Sequence, residues 1–229
     1  RIVNGLKELH IDMAQVEGIF ISHEHSDHIA GLQQLLKRFD IPVYTKQGTW
    51  REIQDKLVVP KNQLIELTKG SLTLGNLIVE PFAVSHDAAD PIGINVFSGK
   101  DKATVVTDTG IISDDILHRI DDSTLLVLEA NYDPHMLRFG PYQPFLKQRV
   151  ASDEGHLSNE MAAQALLMMK RPDFMQVILA HRSENNNNAV LVTQTIGKML
   201  VDGGVRIGPE MKLQHGQPNE IVSMQSIKR

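Results

Sequence analysis

Cysteine is absent from the 229 residues. That excludes disulfide scaffolds, thiolate zinc sites and cysteine nucleophiles, and it fits a reducing compartment, so the expected location is the cytoplasm. No apolar run approaches the ~18 residues of a membrane span, and no basic-then-apolar signal opens the chain. Positive charge is in deficit: the formal net charge is −5, which rules out a uniformly basic nucleic-acid coat but leaves room for a local basic patch. Linkers rich in proline, glycine or serine are missing, as are internal repeats; the one low-complexity stretch is the asparagine run at 185–188. One domain over residues 1–229 is therefore expected, long enough to bury a core without a covalent staple.

Apolar, β-branched runs at 18–22, 76–84, 103–107, 124–128 and 176–180 predict buried strands. Helical patterns fall at 29–38, at 158–170 with Ser158 as N-cap and Pro172 as a stop, and at 188–200 ahead of Gly203 and Gly204. Early strands able to form meanders, followed by strands separated by helices, indicate a layered α/β fold built on sheets.

Histidine is the abundant exception, with 10 residues. Each apolar run leads into metal-competent side chains: His23-Glu24-His25-Ser26-Asp27-His28, then His86-Asp87, Asp108-Thr109-Gly110, Glu129-Ala130-Asn131, and His181. Strands ending together would converge these groups on one rim, where fixed scaffolds place functional loops. His23 and His25 sit two apart and point the same way in an extended start, leaving Asp27 and His28 to turn towards a second centre. Imidazole and carboxylate without thiolate suit zinc, manganese or iron. Asp108 also reads as a turn residue, and His156 as an aid to capping the helix at Ser158. His10, His118, His135 and His215 lack such a setting and read as surface residues, and the nine methionines as core filling.

His23 to His28 resembles the HxHxDH signature of the metallo-β-lactamase superfamily, and His86, Asp108 in Thr-Asp-Thr-Gly and His181 follow in matching order. The resemblance implies an αββα sandwich with two divalent ions, zinc or manganese. His23, His25 and His86 would hold one ion, Asp27, His28 and His181 the other, and Asp108 would bridge. The absence of cysteine sets the chain apart from branches with a cysteine ligand. The stretch from Asp108 to His181 is too short for the domain that RNA-processing β-CASP nucleases insert there. Glu129 and His156 resemble the pair that protonates the leaving group in tRNA 3′-processing endonucleases. The segments VSHDAADPIG, LEANYD, MLRFGPYQPFLKQRVASDEGHLSNEMAA and LAHRSENNNN resemble the YycJ/WalJ-type family of 5′→3′ DNA exonucleases. Two departures stand out: Arg182 where that family usually has leucine, and the lack, before Arg1, of the two opening strands its members carry. The fold is therefore expected to be N-terminally incomplete.

Between Pro134 and Ser152 there is no acidic residue, while Arg138, Lys147 and Arg149 alternate with Phe139, Tyr142 and Phe145. Such a segment suits a phosphate backbone and stacked bases; it also reads as a proline-rich surface loop with its aromatics tucked inward. The sequence thus points to a metal-dependent phosphodiesterase acting on nucleic acid, and the resemblance implies DNA. Asp27 would orient water, and His156, steadied by Glu129, would act as general acid. A thioester or lactone hydrolase of the glyoxalase II or lactonase type shares the ligand order, and an inactive scaffold is a third reading. Oligomeric state is left open.

Overall fold

The structure, a computed structural model, describes residues 1–68, 70–218 and 220–222. Short strands assemble into two sheets. The smaller contains β1 (Ile19–Phe20), β2 (Val43–Thr45) and β3 (Leu64–Glu66), parallel in that order. The larger contains β4 (Leu72–Leu74), β5 (Leu77–Ala83), β6 (Ile92–Ser98), β7 (Asp101–Val106), β8 (Leu125–Glu129), β9 (Met175–Ala180) and β10 (Met211–His215), in the spatial order β10-β9-β8-β7-β6-β5-β4. Strands β4 to β7 form an antiparallel meander, and β7 to β10 run parallel.

Helices cover the outer faces. α1 (Ile2–Glu8) buries no residue. α2 (Ser26–Ile29), α3 (Leu32–Leu36) and α4 (Gln47–Gln54) supply Ile29, Leu32, Leu36, Trp50 and Ile53 to a core with Ile21 and Val43 beside the small sheet. α5 (Asp114–Ile120), α8 (Asn159–Met168) and α9 (Ala189–Asp202) pack Ile120, Leu166 and Ile196 against Leu126, Leu128 and Val177 of the large one. α6 (Pro134–Phe139) and α7 (Pro144–Val150) lie between β8 and α8. A third cluster joins the sheets: Phe20 and Tyr44 meet Leu72, Leu74, Ile92 and Ile94. Period two explains the division, since Ile19 and Val43 face the helices while their neighbours Phe20 and Tyr44 face the other sheet. The result is the expected αββα sandwich. Among the described residues no helix is long and apolar enough to cross a membrane.

All five apolar runs form strands, and among the described residues there are five more. The earliest strands are parallel, with α2, α3 and α4 in the crossovers, and the meander starts only at β4. The helix expected over 29–38 divides into α2 and α3 around Ala30 and Gly31. Ser158 does cap α8, its hydroxyl accepting from the Met161 N–H at 3.1 Å, and Asn188 caps α9 in the same way at 3.0 Å from the Leu191 N–H. The 134–152 segment is not a loop: prolines at the first helical turns of α6 and α7 start two short helices.

Candidate metal centre

Topology gathers the strand ends. β7, β8 and β9 are parallel, and β5 is returned to the same direction by antiparallel β6. Their C-terminal ends therefore share one edge, which carries His86, Asp108, Glu129 and His181. The end of β1 is tied to that edge where the Ile92 N–H donates to the Ser22 carbonyl at 3.1 Å, delivering His23, His25, Asp27 and His28. Six of the 10 histidines form a closed circuit of imidazoles. Neighbouring centroids around it are as close as 4.0 Å for His23 and His28 and no farther than 5.8 Å for His28 and His181.

The loops leaving the strands are locked to each other. The Gly110 N–H donates to the Ser85 carbonyl at 2.8 Å, and the Asp87 N–H to the Glu154 carbonyl at 3.0 Å. Glu24, buried within the histidine motif, accepts from the Ala89 N–H at 2.8 Å. Glycine is required at two contacts: a Cβ on Gly110 would stand 2.2 Å from the Ser152 carbonyl oxygen, and one on Gly155 2.2 Å from that of Arg149. Asp108 and His181 both adopt left-handed backbone, at φ +57 and +51, an unfavourable conformation of the kind that concentrates at functional sites.

Ring orientation is set from behind. His86 Nδ1 lies 3.0 Å from the Gly155 carbonyl and donates to it; His156 and His181 each place Nδ1 2.7 Å from Glu129 Oε1. Ser22 Oγ stands 3.1 Å from Nδ1 of both His23 and His28. Nε2 of His28, His86 and His181 then faces Asp108, the arrangement in which outer hydrogen bonds fix the tautomer of a ligating histidine. Donors of His23, His25 and His86 lie within 4.8 Å of one another, as do those of Asp27, His28 and His181. Asp108 stands between the two sets, with Oδ2 3.5 Å from His28 Nε2 and Oδ1 3.5 Å from His181 Nε2 and 3.7 Å from His86 Nε2.

The electrostatics favour a cation. Burial and the neighbouring imidazoles push His23 down to about 2, and burial also lowers His28 and His86. These three rings are neutral at pH 7 and ready to ligate without losing a proton. Contact with His181 holds the Asp27 carboxyl well below the usual range. Burial works against the His181 imidazolium, but Asp27 and Glu129 outweigh it and raise its value to about 11. An incoming cation therefore displaces a proton there. Among the buried atoms of the described residues that lack a hydrogen-bond partner are His23 Nε2 and His86 Nε2 of the first donor set and Asp108 Oδ2 between the sets. Orphans of this kind are costly. The residues fit a divalent ion: neutral nitrogen and anionic oxygen donors, oriented from outside and unsatisfied within.

A cavity of about 320 Å³ opens on this centre, lined by His25, Ser26, Asp27, Asp108, Arg149, His156 and His181. Glu129 is fully buried and also accepts from the Thr109 N–H at 3.2 Å and the Leu157 N–H at 3.3 Å. The structure thus brings together all seven residues expected as ligands, with Glu129 and His156 beside them. The basic segment is only partly directed there. Arg149 lines the cavity, but its Nη2 donates to Asp87 Oδ1 at 3.0 Å and its Nε to Oδ2. Lys147 Nζ donates to the Arg138 carbonyl at 2.8 Å, and Arg138 stacks on Phe139. Phe139 and Phe145 are exposed, while Tyr142 packs against the small core of Tyr132, Leu137 and Val150. Arg182 lines the adjoining pocket and not the cavity over the donors. Sequence reasoning gave no role to Ser22, Glu24 or Asp87. Glu24 and Asp87 each left a signal, as an acid directly after a candidate ligand; Ser22 left none.

The fold and this donor set define a metallo-β-lactamase-type hydrolase. The family model for the beta-lactamase superfamily domain matches residues 4–181, and the chain belongs to that superfamily. Over 96% of its length it is 34% identical to exodeoxyribonuclease YycJ of Bacillus anthracis, covering 84% of that protein. It is 30% identical to exodeoxyribonuclease WalJ of Streptococcus pneumoniae, over 99% of this chain and 86% of the relative. Among solved structures, the metallo-β-lactamase fold protein YhfI of Bacillus subtilis superposes with a TM-score of 0.66 at 15% identity, covering 92% of this chain and 79% of that one.

Proposed function

We propose that the chain, acting as one domain over residues 1–229, is a metal-dependent DNA exonuclease of 5′→3′ direction that uses two divalent ions, zinc or manganese, in the cytoplasm. The observation that carries the reading is Asp108: its carboxylate stands between two three-donor sets, with one oxygen buried and unpartnered. DNA as substrate is supported by the likeness to two exodeoxyribonucleases over nearly the whole chain, and the direction rests on the resemblance of its motifs to that family.

Divalent ions at such a centre supply a lowered water pKa and neutralise phosphate charge. His23, His25 and His86 would hold one, Asp27, His28 and His181 the other, with Asp108 shared. Asp27, the most exposed of these groups, orients the attacking water. His156, with Nδ1 fixed on Glu129 at 2.7 Å, lines the cavity and protonates the departing oxygen through its other ring nitrogen. Arg149, His156 and His181 line both the cavity and a second pocket of about 330 Å³ with Tyr142 and Asn131. A strand crossing the centre would enter this pocket on the leaving-group side. Arg138 and Lys147 add positive charge along the approach.

The test sets single-stranded DNA, labelled at either end, beside a thioester and a lactone under manganese or zinc. Early release of the 5′ label as mononucleotide, with thioester and lactone untouched, is expected. Early loss of the 3′ label overturns the direction, and thioester or lactone turnover with intact DNA overturns the nuclease reading.

A further inference from the structure

The two donor sets and Asp108 account for seven side chains, with Glu129 and His156 beside them, yet one more carboxylate reaches the centre. Asp87 Oδ1 lies 3.5 Å from His86 Nε2 and 3.9 Å from His25 Nε2. Its backbone is pinned by the Glu154 carbonyl, and both carboxylate oxygens are taken by Arg149. A single-point surface ion pair counts for little. A planar, two-point clasp is different, because it fixes the orientation of both groups. Arg149 belongs to α7, 62 residues away in sequence, and it lines the cavity over the metal donors.

We propose that Asp87 is a positioning residue serving two cations at once. It presents carboxylate charge to the ion held by His23, His25 and His86, and it holds Arg149 at the lip of the cavity. The charges are balanced: the guanidinium offsets the extra carboxylate, so the centre gains an anionic neighbour for the ion without repelling an anionic substrate. Removing either partner therefore has opposite consequences for the ion. Loss of Asp87 takes away anionic charge and frees Arg149. Loss of Arg149 leaves a bare carboxylate facing the ion. The role given to Arg149 rests on the phosphodiesterase reading; the effect on the ion does not.

The experiment compares Asp87→Asn, Arg149→Ala and the double variant in the full chain, after circular dichroism shows that each is folded. The first readout is competition for manganese or zinc against a chelator. Asp87→Asn should lose ~10- to 100-fold in affinity for one ion, the usual effect of removing an outer partner of a ligand; Arg149→Ala should bind as tightly as the parent, or tighter. The second readout is KM for single-stranded DNA against salt. Both single variants should raise KM and flatten its salt dependence, and the double variant should do no more than Asp87→Asn alone, because one clasp is being broken. Metal affinity of Asp87→Asn within about twofold of the parent overturns the proposal, as does Arg149→Ala losing metal to the same extent. If the parent neither binds nor cleaves DNA, the nuclease reading fails, and the metal readout still decides the role of Asp87.

Discussion

Replacing Glu129 by glutamine tests how the centre is held from behind. Oε1 accepts from His156 Nδ1 and His181 Nδ1, and Oε2 from the Thr109 and Leu157 N–H groups. Glutamine keeps the shape but offers one acceptor and one donor, so each orientation fails on one side. With its oxygen towards the imidazoles, the amide NH₂ meets two buried backbone N–H groups. Each then lacks an acceptor, at ~1–3 kcal/mol apiece, or ~2–6 kcal/mol in all. Turned the other way, the NH₂ faces both Nδ1 atoms. The rings must then carry their protons on Nε2, the His181 atom that faces Asp108 at 3.5 Å, and the cation loses a ligand. Denaturant titration of the metal-free variant and chelator competition measure the two costs. The pH dependence has a definite sign. Burial pushes the Glu129 carboxyl up, but hydrogen bonds from His156 and His181 bring it from its ordinary 4.5 to about 2. Its charge therefore stabilises the fold fully above pH 4.5, and that contribution is lost as pH falls towards 2. The stability gap between parent and Glu129→Gln should be widest near neutrality and close across that window. A gap below about 1 kcal/mol at pH 7, with metal binding intact, would show that Glu129 does not hold these four donors.

On the proposed mechanism, His156→Ala lowers kcat by ~10²–10⁴ with little change in KM; the loss should shrink on a nitrophenyl phosphodiester, whose leaving group needs no proton, and equal slowing of both substrates would remove His156 as the donor. Arg138→Ala with Lys147→Ala should raise KM and flatten its salt dependence while kcat changes less, as measured by steady-state kinetics across a salt series. Leu126→Ala, in the fully buried face of β8, should cost ~2–5 kcal/mol in denaturant unfolding and leave metal stoichiometry unchanged.

The strand ends were legible because each run is largely apolar, although β5 leaves Leu77 and Ile78 exposed rather than buried, and each leads into a residue that does not belong in a core: His23, His86, Asp108, Glu129 and His181. The other strands were not legible, for physical reasons. β2, β3 and β4 are three residues long, too short for a period to register. β6 carries Gly93 and Asn95, whose amide is satisfied by the Arg119 carbonyl and the Thr104 hydroxyl, partners invisible in the sequence. The 134–152 segment reads as a loop because proline usually breaks structure; at Pro134 and Pro144 it opens a helix instead. Arg149 was visible as a fixed charge, but its pairing with Asp87 depends on loops meeting through Gly110 and Gly155, which only the fold reveals. The left-handed backbone at Asp108 and His181 likewise left no trace beyond the Asp-Thr-Gly turn.

Elemental analysis of metal-loaded protein, parent beside Asp108→Ala and the His23→Ala/His25→Ala double variant, decides whether two ions share the Asp108 carboxylate. About two ions per parent chain are expected, as a two-metal hydrolytic site requires. The double variant should lose at least one of them, and Asp108→Ala should weaken both together, because one carboxylate faces both donor sets. Full occupancy in the double variant, or loss of a single ion from Asp108→Ala with the other bound at unchanged affinity, would contradict this arrangement.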